Sequence, residues 1–62
     1  MSRGQRLLKR ALNRSGLSPE EFVRLHPGAV GNYSARTVRR WLTENDIPPH
    51  VTRHLQAHLA GK

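Results

Sequence analysis

Two groups of side chains have the type and spacing to do chemistry: Arg36, Arg39 and Arg40 within one short stretch, and His50, His54 and His58 at intervals of four. A guanidinium is a planar fork of donors that reads guanine O6 and N7 as a pair, and one good bidentate contact discriminates by about 1 to 3 kcal/mol. Arg36 and Arg40, four apart, fall on one strip of a helix and suit base edges. Arg39, turned about 100° from Arg40, suits a phosphate. Histidines at i and i+4 can share a metal ion. With no Cys in the chain and no carboxylate between residues 48 and 60, a closed site would need ligands from elsewhere or from a second chain. No metal and no cofactor is therefore expected, and the histidine row is read as flanking a subunit contact or a wet face. If it is a contact, charging the imidazoles near pH 6 would weaken association. The four acids, Glu20, Glu21, Glu44 and Asp46, sit around helix ends, and no nucleophile has a base and an orienting group beside it, so no enzyme is expected.

Four helices must position these groups, over about 3–14, 19–26, 35–44 and 48–60, and the fold class is all-α in a single domain, 1–62. Leu7, Leu8, Ala11 and Leu12 have helical spacing, with Arg3, Arg6, Lys9, Arg10 and Arg14 on the remaining face and Ser15-Gly16 as the stop. Ser18-Pro19-Glu20-Glu21 combines a capping Ser, a Pro at the first helical position and a Glu that can close a capping box. Phe22, Val23 and Leu25 give that helix its apolar face before Pro27-Gly28 ends it. Ser34 caps the third helix, in which Val38, Trp41 and Leu42 form an inward stripe and the arginines lie away from it. Trp41, on that stripe, is read as core rather than as a platform for stacked bases. Pro48-Pro49 open the fourth helix, whose stripe is Val51, Leu55 and Leu59. Nothing alternates with period two over four residues, so no strand is expected.

The chain of 62 residues has 11 Lys plus Arg against 4 Asp plus Glu, net +7. Residues 1–31 hold six basic against two acidic (+4) and residues 32–62 five against two (+3), so the charge belongs to the fold and not to a tail. Such a field attracts polyanions, and nucleic acid is the expected partner. A domain this small hides only about 60% of its unfolded surface, leaving no room for a deep pocket or a small-molecule ligand. No apolar run exceeds two residues, which excludes a membrane span and a secretory h-region. Residues 1–17, basic and without acids, superficially fit a transit peptide, but removing them would take a helix the core needs. Asn32-Tyr33-Ser34 fits a glycosylation sequon, set aside because nothing points to secretion. The expected location is the cytoplasm.

The succession Leu17-Ser18-Pro19-Glu20-Glu21-Phe22-Val23-Arg24-Leu25, then Ser34-Ala35-Arg36-Thr37-Val38-Arg39-Arg40-Trp41, then Ile47-Pro48-Pro49 and a final apolar helix, resembles the lambda-repressor-like (Cro/XRE) helix-turn-helix family of small phage and bacterial regulators. The resemblance covers about residues 5 to 60, and it implies that the cytoplasm in question is a prokaryotic cytosol or nucleoid, including that of a phage-infected host. It implies that the helix over 35–44 enters the major groove of double-stranded DNA with Ala35, Arg36 and Arg40 at bases. Eight residues, His26 to Tyr33, separate the two helices where a short turn of about 3 to 4 is usual, so an enlarged turn is expected. Val23 stands where the family has a small Ala, which agrees with a wider turn. Pro19 replaces a backbone-contacting Gln, and four helices are legible where five are common.

Backbone contacts are expected from Ser18, Asn32, Tyr33, Ser34, Thr37, Arg39, Arg10 and Arg14. For Ser18 a pure capping role is the competing reading, and for Tyr33, with Val30, a lid on the core. The expected function is a sequence-specific regulator, a repressor bound as a homodimer to an inverted repeat. His54, Leu55, His58 and Leu59 are the expected subunit contact. Two alternatives are a protein-binding module of the same fold, such as an antitoxin or phage inhibitor, and a nonspecific nucleic-acid-binding protein.

Overall fold

A computed structural model describes residues 2–44 and 46–61. All regular structure among them is helical: α1 (Arg3–Ser15), α2 (Pro19–Leu25), a 3₁₀ turn (Pro27–Val30), α3 (Ala35–Glu44) and α4 (Pro49–Ala60). None of these helices is long and apolar enough to cross a membrane.

Each helix starts where its local chemistry allows. Ser2 Oγ accepts the Gln5 N–H at 3.2 Å, and Gly16, at φ +69°, ends α1 by returning its N–H to the Leu12 carbonyl. Ser18 Oγ accepts the Glu21 N–H at 3.3 Å, and Pro19 takes the first helical position. The expected box closes differently: the Ser18 hydroxyl donates to the Glu21 carboxylate at 3.4 Å, a side-chain pair in place of the return bond to the backbone. Pro48 is the cap of α4 and Pro49 its first residue.

The core gathers one stripe from every element: Leu8 and Ala11 from α1, Phe22 from α2, Ala29 and Val30 from the 3₁₀ turn, Val38 and Trp41 from α3, Val51 and Leu55 from α4. α1 packs on α4, α2 on α3, and the 3₁₀ turn on α4 and α2. Gly4 lets α1 approach closely, because a Cβ there would lie 2.7 Å from Thr52 Oγ1 and 3.2 Å from the Ile47 side chain.

The enlarged turn is an ordered element that buries Val30 completely, as the lid reading expects, and Ala29 almost so, braced by the Asn32 N–H donating to the Pro27 carbonyl at 2.9 Å. One expectation is corrected. Leu55, expected at a subunit contact, is fully buried within its own chain. An apolar stripe on α4 requires burial but does not specify the partner, and here α1 and the 3₁₀ turn supply it.

Candidate nucleic-acid interface

α3 is held from behind and from its C-terminal end. Val38 and Trp41 are buried, and the Gln5 amide, itself buried, donates to the Trp41 carbonyl at 3.2 Å and the Leu42 carbonyl at 2.8 Å. The last carbonyls of a helix have no intrahelical donor, so this side chain satisfies two groups that would otherwise be orphaned. Sequence reasoning missed Gln5. A glutamine at an inward position of α1 was the available signal, but its partner lies 36 residues away.

At the N-terminal end, Ser34 Oγ accepts the Thr37 N–H at 3.3 Å and lies 3.1 Å from Thr37 Oγ1. Both hydroxyls are therefore engaged in capping, and α3 has no acid in its first turn. Ala35 is half-buried, while Arg36, Arg39 and Arg40 are exposed.

The three arginines differ in their partners. Arg39 Nη1 donates to Glu20 Oε2 at 2.7 Å, tying α3 to the first turn of α2. Arg40 Nε lies 3.7 Å from Glu44 Oε1, a loose i, i+4 pair. Arg36 has no acidic partner among the described residues. Both ion pairs are solvent-exposed, with Arg39 65% and Glu20 52% accessible, so each is worth at most about 1 kcal/mol and is exchangeable for a stronger anion.

The remaining expected contacts lie at the start of α2, in the connection before α3 and on α1. Ser18 caps a helix whose first turn carries Glu20 and Glu21, which repel an approaching phosphate. Asn32 is exposed and sits at φ +65°, directly after Gly31 at +67°. Tyr33 takes the lid arrangement: its ring meets Trp41 edge-on at 5.0 Å and its hydroxyl lies 3.5 Å from His50 Nε2. Arg10 and Arg14 are carried away from α3. Gln5, which reaches α3, and Arg14 are nine positions apart, about half a turn at 100° per residue, and Arg10 is turned by about 140°. Arg14 Nη1 donates instead to the Leu59 carbonyl at 3.2 Å.

The histidine row is divided. His50 faces Tyr33 at 5.9 Å and His54 at 6.2 Å, whereas His58 packs on Phe22 at 5.5 Å and His26 at 5.1 Å. Among the described residues no three His, Cys, Asp or Glu side chains are grouped to hold a metal. Burial, followed by the nearby His26 and then Arg14, lowers the His58 pKa below its ordinary 6.5. Of the expected subunit contacts, His54 and His58 are exposed and Leu59 is half-buried.

Compared with known proteins, the chain matches no family model, no curated protein and no solved structure.

Proposed function

We propose that this protein is a sequence-specific double-stranded DNA-binding regulator, a repressor that places α3 in the major groove, with α2 and α3 as its helix-turn-helix. The observation that carries this reading is the asymmetry of α3. One face is fixed by Val38, Trp41 and Gln5, and the other presents Arg36 and Arg40 on one strip, Arg36 without an acidic partner among the described residues. A recognition helix needs that combination, because base readout requires side chains held in register by a rigid support. Arg36 and Arg40 read bases, Ala35 permits close approach at the helix start, and Arg39 exchanges Glu20 for a phosphate on binding. Asn32, Ser34 and Thr37 border the same end of α3 and position the backbone.

Occupancy of a promoter by such a domain suffices for repression. One copy offers few base contacts, and two copies on half-sites about 34 Å apart multiply the selectivity. With Val51 and Leu55 committed to the core, that pairing is organised by the DNA.

Selection of sites from random duplex DNA at about 150 mM salt tests this reading, since nonspecific phosphate binding is weakened there. An enriched inverted repeat is the expected result. Salt-sensitive retention of all sequences without enrichment would replace this reading with a nonspecific binder.

A further inference from the structure

α1 and the C-terminal half of α4 enclose a groove facing away from α3. It consists of two adjoining hollows of about 300 Å³ and about 240 Å³ that share Arg14 and Leu59. Its apolar lining comes from Leu7, Ala11, Leu59 and Ala60, and its polar rim from Arg10, Arg14, Ser15, Gln56 and His58, with His26 from the connection after α2 closing one end. None of the acids Glu20, Glu21, Glu44 and Asp46 lines either hollow. The bond from Arg14 to the Leu59 carbonyl fixes that guanidinium across the groove wall with further N–H donors to spare, and Arg10 has no acidic partner among the described residues.

An apolar lining under two arginines is not what a phosphate backbone requires. A nucleic-acid strand would use the charges and leave Leu7, Leu59 and Ala60 unpaired. An amphipathic helix uses both, seating apolar side chains at i, i+3, i+4 and i+7 along the trough while flanking carboxylates take the guanidinium forks bidentately. α1, at 13 residues, is about 20 Å long, which matches roughly three and a half turns of such a helix.

We propose that the groove between α1 and α4 is a docking site for an acidic amphipathic helix of a partner protein, with Arg10 and Arg14 pairing to its carboxylates. This surface is separate from α3 and does not depend on the DNA reading, so a bound regulator could hold DNA and partner together.

The test is a selection of displayed random peptides, about 16 residues long so that helix formation is accessible, against the full chain. Enriched sequences should be acidic with apolar residues at helical spacing. Arg10→Glu and Ala60→Glu should each weaken the binding of an enriched synthetic peptide at least tenfold. Arg24→Glu, which makes the same change in net charge on α2, outside both hollows, and Arg36→Ala should leave it within twofold, and a scrambled peptide of equal composition should not bind. Unchanged thermal unfolding of the variants confirms that the losses are local. Failure to enrich any sequence, or enrichment of peptides indifferent to Arg10→Glu and Ala60→Glu, would overturn the proposal. So would displacement of the peptide by random-sequence duplex that is itself weakened by Arg10→Glu, which would assign the groove to DNA.

Discussion

At the scale of single residues, the support behind α3 depends on Gln5 more than on any of the charges in front of it. Its amide is buried and serves two carbonyls at a helix end. Gln5→Leu keeps the volume but leaves the buried Trp41 carbonyl and the half-buried Leu42 carbonyl without their donor, and a buried unsatisfied group costs about 1 to 3 kcal/mol. Urea unfolding should show that loss as a lower midpoint with an unchanged slope, whereas a loss below about 0.5 kcal/mol would mean that solvent reaches those carbonyls. His58 supplies a second prediction, with its sign fixed by the lowered pKa. The folded state disfavours the charged imidazole, so this contribution is fully present above about pH 6.5 and is lost as the pH falls through the lower folded-state value. The melting temperature should therefore drop between pH 7.5 and 5. His58→Gln should reduce that drop, and an identical pH profile in the variant would remove His58 from the account. The arginines were legible in the sequence as a group, but their division was not. Glu44 is within reach of Arg40 at i, i+4 on α3 itself, but whether Arg39 faces an acid depends on how α2 lies on α3, and Glu20 is 19 residues from Arg39.

At the scale of elements, Ser18, Ser34, Gly16 and the Pro48-Pro49 pair mark helix ends by local stereochemistry, and the observed ends lie within one residue of the expected ones. The connection from His26 to Ser34 was legible in its length and in the lid reading for Tyr33 and Val30, but not in its 3₁₀ form. Its Pro and Gly residues announce a turn, but burial of Val30 depends on α4 and has no periodic signature in four residues. The subunit contact expected of Leu55 failed for a related reason, since Leu55 is equally apolar whether it meets α1 or a second chain. The left-handed pair Gly31 and Asn32 returns the chain to Tyr33 and makes the connection testable. Gly31→Ala should destabilise by about 1 to 2 kcal/mol because an L side chain is strained at φ +67°, and its Cβ would also lie 3.3 Å from Val51. Asn32→Gly, at φ +65°, should be neutral or slightly stabilising by the same argument. If Asn32 contacts the DNA backbone, the Asn32→Gly variant will be fully folded yet bind DNA more weakly. Unfolding and binding curves on the same sample would separate the two effects, and unaltered affinity would confine Asn32 to the turn.

At the scale of the whole molecule, a net charge of +7 is carried on a body whose one exposed large hydrophobic among the described residues is Leu25, 56% accessible. A stable dimer needs a more extensive apolar contact, on the order of 800 Å² per partner. Sedimentation at micromolar concentration should accordingly find a monomer without DNA and two copies on an inverted repeat. A dimer in the absence of DNA would require an interface outside Val51 and Leu55. The excess charge makes affinity steeply salt-dependent and cannot by itself distinguish a regulator from a nonspecific binder. Base discrimination makes that distinction, and Arg36 is where it should reside. The most direct measurement is competition binding of wild type and Arg36→Ala on a selected site and on its single base-pair variants at fixed salt. The account predicts that Arg36→Ala abolishes discrimination at one position in each half-site, worth about 1 to 3 kcal/mol, and leaves preferences elsewhere intact. Uniform weakening across all sites, with every preference retained, would contradict it and make Arg36 a phosphate contact.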